Sequence, residues 1–350
     1  QDADVLAELE RLAEANRAWD AAAAALARAL DAAEAAARAQ STPNLSGIGG
    51  GSADLWARLG RWRRDRVDDL RGAEIAFTRA LDLDPENVEL VRSVEELTRG
   101  PGRERDRIAV LRRLARLEGE PDRKRDITRE AVQIAEDMLA DARLAEEALR
   151  DLLADNEADA WAAEQLTRLR ADAGDHAEVV ALLLRRAEGA ADGGEALALR
   201  HRAAETAAEK LGDRERAVRL YEEILDQEPG DATAQGRLRA LYADLGKLEE
   251  LARLLRVLIE MAASPEERAA LRIDLARLQL DRFEAPQDAV DTLRAVLDED
   301  PDHDGAAAAL SEIYERTGKD AELAELWSSL VERARARGDA TAELDRTVRL

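Results

Sequence analysis

The sequence predicts an all-α solenoid, a row of antiparallel helix hairpins with a double hairpin every 72 residues. Three observations predict it. Residue columns recur at that spacing: Ala73, Ala145, Ala217 and Ala289; Leu81, Leu153, Leu225 and Leu297; Gly102, Gly174, Gly246 and Gly318; Leu97, Leu169, Leu241 and Ile313. Pro85, Pro229 and Pro301 form a fifth column, with Glu157 in the missing place. A fixed period of this kind marks supersecondary units that bury their apolar faces only by stacking. The composition is helical as well, rich in Ala, Leu, Glu and Arg, with 3% aromatic and 37% charged residues. Finally, apolar residues fall at i, i+3, i+4 between Gly, Pro and Asp breaks, so each helix has one buried stripe.

The elements follow in order. Residues 1–40 read as a first hairpin, with helices near 2–15 and 18–39. Residues 41–53 are rich in Gly and Ser and are expected to form a mobile surface loop. Residues 54–338 hold four double-hairpin units, the first with helices near 54–69, 71–83, 86–99 and 103–118. Residues 339–350 begin a further repeat, and the chain reads as a segment of a longer array. The Gly column suits helix C-caps, where φ is positive. Ser264-Pro265-Glu266-Glu267 forms a capping box. The Ala column lets the two helices of a hairpin approach closely, and the Leu column is expected to fill the space between neighbouring hairpins.

Charge limits the choice of partner. The net charge of −24 argues against nucleic acid. Its distribution is uneven: between Arg58 and Arg129, 19 Lys and Arg face 16 Asp and Glu. With no cysteine, thiol chemistry and disulfides are excluded. No run of about 18 apolar residues predicts a transmembrane helix. A cytoplasmic location is expected, or a periplasmic one if an upstream signal has been removed.

No motif predicts a catalytic set, a cofactor or a metal. Asp300-Pro301-Asp302-His303-Asp304-Gly305 opens like a calcium loop, but Ser311 stands where a bidentate Glu is needed, and the stretch coincides with an inter-helix turn. The Gly-rich loop lacks the Lys of a phosphate loop, and Asp54 would repel an anion. His176, His201 and His303 share no ligand spacing.

The repeat residues resemble the tetratricopeptide repeat family. Trp56, Leu59 and Gly60 match the start of its motif, and Ala73, Phe77, Ala80 and Pro85 match the finish. Ala217, Tyr221, Ile224 and Pro229 repeat the finish, and Leu238, Tyr242 and Gly246 keep the first-helix spacing. Three features depart from the motif: Gly60 to Ala73 is one step longer than usual, Arg63 replaces an aromatic, and Arg239 replaces a small residue. The resemblance implies a right-handed superhelix whose concave face binds a peptide or helix of a partner, without catalysis. Carried onto this chain, the concave positions are Trp161, Glu164, Arg168 and Asp172; Thr233, Gly236, Ala240 and Asp244; and Gly305, Ala308, Glu312 and Arg316. The longer helices offer His201, Glu205 and Glu209; the equivalent set one unit later begins with Ile273, which breaks the polar phase.

Among the tryptophans, Trp327 and Trp62 occupy core columns, and Trp56 is expected to be partly buried. Trp161 stands in a polar column and is the candidate hot spot; Trp19 is a weaker one. The function expected is a protein-protein interaction scaffold. The alternative is a structural solenoid that forms dimers or filaments by end-to-end stacking.

Overall fold

The computed structural model describes residues 2–39 and 49–349, and among them every regular element is helical. Two compact units divide the chain, residues 1–190 and 191–350. The first contains α1 (Asp2–Asn16), α2 (Trp19–Ala39), α3 (Gly49–Trp62), α4 (Leu70–Leu83), α5 (Val88–Leu97), α6 (Glu104–Leu117), α7 (Pro121–Gln133), α8 (Ala142–Asp155), α9 (Ala160–Asp172) and α10 (His176–Gly189). The second contains α11 (Gly193–Glu205), α12 (Arg214–Gln227), α13 (Ala232–Leu245), α14 (Leu248–Met261), α15 (Pro265–Asp281), α16 (Pro286–Glu299), α17 (Asp304–Thr317), α18 (Asp320–Arg337) and α19 (Ala340–Arg349). Within each unit, successive helices pack side by side through short turns, which makes them antiparallel hairpins.

Two kinds of hairpin alternate, and their turns show why. In the shorter kind the turn uses a glycine at positive φ: Gly102, Gly174, Gly246 and Gly318. In the longer kind the first helix ends in a wider turn. A π-helical segment follows α3 (Arg63–Val67), α7 (Ile134–Met138) and α11 (Thr206–Lys210). The chain then closes through an amide that reaches six residues back: Asp69 to Arg63 O (2.8 Å), Asp141 to Ala135 O (2.9 Å), Asp213 to Ala207 O (2.9 Å) and Ala285 to Gln279 O (2.9 Å). The extra residue between Gly60 and Ala73 is absorbed here. Its position takes positive φ in every copy: Asp68, Ala140, Gly212 and Glu284. Only one of the four is glycine, so the other three hold a conformation that costs an L-residue roughly 1–2 kcal/mol. Asp69, Asp141 and Asp213 then cap the second helix through the amides of Gly72, Leu144 and Arg216.

The seam of each longer hairpin is tight. Ala73, Ala145, Ala217 and Ala289 are all 0% exposed. One turn on, Phe77, Leu149, Tyr221 and Leu293 are buried, as are Ala80, Leu152, Ile224 and Val296. The Leu column expected to fill the space between hairpins is shallower. Leu81 is buried, but Leu153, Leu225 and Leu297 are half-buried. The interior stripe runs i, i+4, i+7 from the seam alanine, so the next residue, eight on, falls at the stripe's edge.

Opposite Phe77, Leu149, Tyr221 and Leu293 in register stand Gly60, Val132, Ala204 and Ala276. Gly60 is required: a Cβ there would come within 2.6 Å of the Phe77 ring. The glycine thus matches the bulkiest apolar partner in the column.

Other expectations are revised. α3 starts at Gly49, inside the stretch expected to be a loop; burial of Ala53 carries the helix back through Ser52 and Gly51 despite the cost of glycine in a helix. The loop expectation for 41–48 falls outside the described residues. Trp62 and Trp327 are buried, and Trp56 is buried more completely than expected, at 4%. The indole N–H groups of Trp56 and Trp62 donate to Glu34 and Glu10, both at 3.0 Å. Ser264 caps α15 through the Glu267 amide, and Glu267 reaches back to the Ala263 amide.

Candidate protein-binding groove

The first helices of successive hairpins are linked by ion pairs that cross from one to the next. Arg64 reaches Glu96 (2.9 Å), Arg168 reaches Glu136 (2.6 Å) and Arg316 reaches Asp281 (3.0 Å). Arg237 on α13 serves both Glu205 (3.0 Å) and Glu209 (3.4 Å) beside α11. Exposed pairs of this kind stabilise by roughly 0–1 kcal/mol each.

Four of the sequence-predicted site residues, Arg168, Glu205, Glu209 and Arg316, belong to this ladder. Arg168 also lies 3.6 Å from Asp172, and Arg316 3.8 Å from Glu312. Glu164 pairs with Arg186 on α10. Arg186 itself stands in the column of Leu114, Leu258 and Leu330, all buried. It helps line a cavity of about 230 Å³ with Leu153, Leu166 and Leu182 between α8, α9 and α10. Trp161 is half-buried against the core of α8 and α9, and the Arg129 guanidinium lies over its ring at 5.1 Å. Thr233 and Asp244 are exposed near the two ends of α13. His201 Nε2 is 2.9 Å from Asp231 Oδ2, while its Nδ1 is buried without a hydrogen bond. Asp231 caps α13. Burial pushes its carboxyl up, but the Ala234 amide and His201 outweigh that and hold it below the usual carboxylate range.

The calcium-like turn makes ordinary turn contacts. Asp300 accepts the Asp302 amide, His303 Nδ1 accepts the Ala306 amide as the cap of α17, and Asp302 pairs with Arg337. Among the described residues no three potential ligands gather around a common point, and no helix is long and apolar enough to cross a membrane.

Between α13 and α15 the crossing pair is Arg239 with Asp274, at 2.5 Å. Here a groove of about 500 Å³ opens, with Leu251, Leu255 and Leu278 among its lining. Gly236, Ala240 and Ala243 of α13 also line it. These three positions carry Arg92, Glu96 and Arg99 in one copy, Glu164, Arg168 and Ala171 in another, and Ala308, Glu312 and Glu315 in a third. Small residues at i, i+4 and i+7 share one helix face, and their lack of bulk leaves the space open. Arg239, Asp274, Arg277, Asp281 and Arg282 complete the lining, with Arg239 bound to Asp274 at 2.5 Å.

Gly236 and Ala240 are among the positions the sequence marked as inner face. Arg277 and Asp281 are not, because Ile273 interrupts their column. Ile273 packs against the core of α16 and α17, whereas Arg277 and Asp281 line the groove. The available signal was the replacement of a small residue by Arg239.

No family model and no curated protein matches the sequence. Solved structures similar to it are helical repeat proteins. The human IFIT1 dimer with PPP-AAAA is 14% identical, with 85% of this chain and 71% of that one covered and a TM-score of 0.32. MamA from Desulfovibrio magneticus RS-1 is 18% identical, with 50% and 94% covered and a TM-score of 0.30. A tetratricopeptide repeat protein from Parabacteroides merdae is 13% identical, with 75% and 99% covered and a TM-score of 0.25. The chain's own architecture carries the assignment: short-turned helix pairs, a fully buried alanine at each longer seam, and motif residues Trp56, Leu59, Gly60, Ala73 and Phe77 packed together. This chain is an all-helical array of tetratricopeptide-like hairpins.

Proposed function

We propose that the chain is a non-enzymatic protein-protein interaction scaffold, and that the groove between α13 and α15 receives a segment of a partner protein. The observation that carries this reading is the open space of about 500 Å³ that the small residues Gly236, Ala240 and Ala243 leave beside Leu251, Leu255 and Leu278. That volume is within the range of about 300–1,000 Å³ typical of ligand sites. Extended peptides and helices both use clefts of this kind, with apolar anchors supplying affinity. The face of α9 that carries Trp161, Glu164, Arg168 and Asp172 is proposed as a separate contact surface of the first unit.

Ala240 is exposed, so Ala240→Trp fills the groove without entering the core. A phage-displayed random-peptide library panned on the wild-type chain is expected to yield binders that lose at least about tenfold in affinity on this variant. Binders that hold equally well to wild type and variant, with circular dichroism unchanged, overturn the assignment of the groove.

A second reading, self-association, draws on apolar side chains left open. Val5 and Leu12 of α1 are 66% and 43% exposed, and Leu344 and Val348 of α19 are 69% and 80% exposed. Such stripes suit the stacking of one copy on another. Light scattering that finds a strict monomer at every concentration sinks this reading.

A further inference from the structure

We infer that the cavity between α8, α9 and α10 binds a small aliphatic carboxylate whose alkyl group is about the size of a leucine side chain. This site lies within the first unit, is independent of the groove between α13 and α15, and goes beyond the scaffold role. Its shape follows from the repeat. Two periods on, the same space is filled: Leu330, 1% exposed, packs with Ala307 against Leu297 and Leu326. Their counterparts are Arg186, Ala163, Leu153 and Leu182, and all four line the cavity. In the leucine's place stands an arginine, whose charged end pairs with Glu164. A hollow of about 230 Å³ remains, walled by Leu153, Leu166 and Leu182. An engineered apolar cavity of about 150 Å³ already admits benzene.

Charge sets the other end of the ligand. Arg150, Arg185 and Arg186 outnumber Glu157 and Glu178 around the cavity, whereas the equivalent positions of the other three copies carry more carboxylates than cations. Arg186 is one cause. The other is Ala154, which stands where Asp82, Asp226 and Asp298 stand elsewhere. Glu157, in the place of a proline, works against the trend but is exposed, and Glu178 is held by Arg150 at 2.6 Å and by Arg170 at 3.0 Å. Arg185 is exposed at the rim and in no ion pair among the described residues. Its counterpart Arg113 donates to the Pro85 carbonyl on the turn after α4, at 2.7 Å. An arginine at this position is therefore long enough to span the mouth of the cavity. A carboxylate there meets Arg185, while the alkyl tail takes the space of the missing leucine.

The test uses the full chain and isocaproate, which is leucine's carbon skeleton without the amine. Calorimetric titration should give a dissociation constant of about 0.1–1 mM, and the ligand should raise the melting midpoint. Isohexanol, which lacks the charge, and acetate, which lacks the tail, should each bind at least about tenfold more weakly. Arg186→Leu restores the leucine of the other copies. It should abolish isocaproate binding and melt higher than the unliganded wild type. Arg185→Gln, at an exposed position, should cost isocaproate several-fold in affinity and isohexanol nothing. Hydrogen exchange should show the added protection in α8, α9 and α10. No isocaproate binding at about 10 mM, equal binding of isohexanol or acetate, binding that survives Arg186→Leu, or protection confined to other helices each overturns the inference. A chain that ignores isocaproate but captures a helical peptide with an exposed leucine, and loses it in Arg186→Leu, assigns the cavity to a partner protein's side chain and also overturns it. Ala240→Trp should bind isocaproate as the wild type does, so failure of this site and failure of the groove are read separately.

Discussion

Phe77→Ala is expected to destabilise the first unit by about 3–5 kcal/mol, the range for deleting a fully buried aromatic. The ring is 0% exposed, within a core that includes Trp56, Leu59, Ala73 and Ala80. Gly60 opposite offers no side chain to refill the space, and its neighbours are already close-packed, so the cavity cannot collapse far. Gly60→Ala alone should also destabilise, by about 1–3 kcal/mol through overpacking, since its Cβ would lie 2.6 Å from the ring. Combined with Phe77→Leu, the Gly60→Ala penalty should shrink, because the smaller side chain yields to the new methyl. A double-mutant cycle by urea denaturation measures this coupling, and strict additivity would show that the two residues do not share one packing constraint. Stability in stacked repeats is nearly a sum of local terms. Hydrogen exchange should therefore show lost protection in α3 and α4 and little change in α16 and α17.

Asp159→Ala is the second large effect, expected at about 2–3 kcal/mol. Asp159 is 2% exposed and does two jobs. Its Oδ1 accepts the Ala162 amide at 2.9 Å as the cap of α9, and its Oδ2 accepts Arg125 Nε of α7 at 2.9 Å. Loss of a cap costs about 1 kcal/mol, and loss of a hydrogen bond to a charged group about 1.5–3 kcal/mol. The lower part of that sum applies because Arg125 is 32% exposed and can turn to water. Asp159→Asn keeps an oxygen for the cap and removes the charge, so it should cost only about 1 kcal/mol. Equal losses for the two variants, measured by thermal melting, would mean that the cap contributes nothing separable.

Much of this architecture was legible in the sequence, because turns and seams demand particular residues. A glycine at positive φ and an alanine at a close seam leave columns that survive in a single chain. The π-turns left a weaker trace, a single residue of excess length, since Asp, Ala, Gly and Glu all occupy the left-handed position. The depth of the Leu column could not be read from spacing alone, because residues seven and eight on from the seam differ by one step of helix phase. The groove was the hardest feature to find. It is made by side chains that are missing, and Gly236, Ala240 and Ala243 form no motif. Its charged rim was hidden by Ile273, which belongs to the core while its neighbours one and two turns on face the groove.

The alternation of two turn types bears on how such a chain can change its length. A long hairpin closes through an amide reaching six residues back, and a short one closes on a glycine. Gene duplication that copies a pair of hairpins joins each new end to the neighbour it already fits. Copying a single hairpin would set two of the same kind side by side and require new complementary surfaces at the junction. Growth and shrinkage during evolution should therefore proceed in even steps, and homologues of different length should differ by whole pairs.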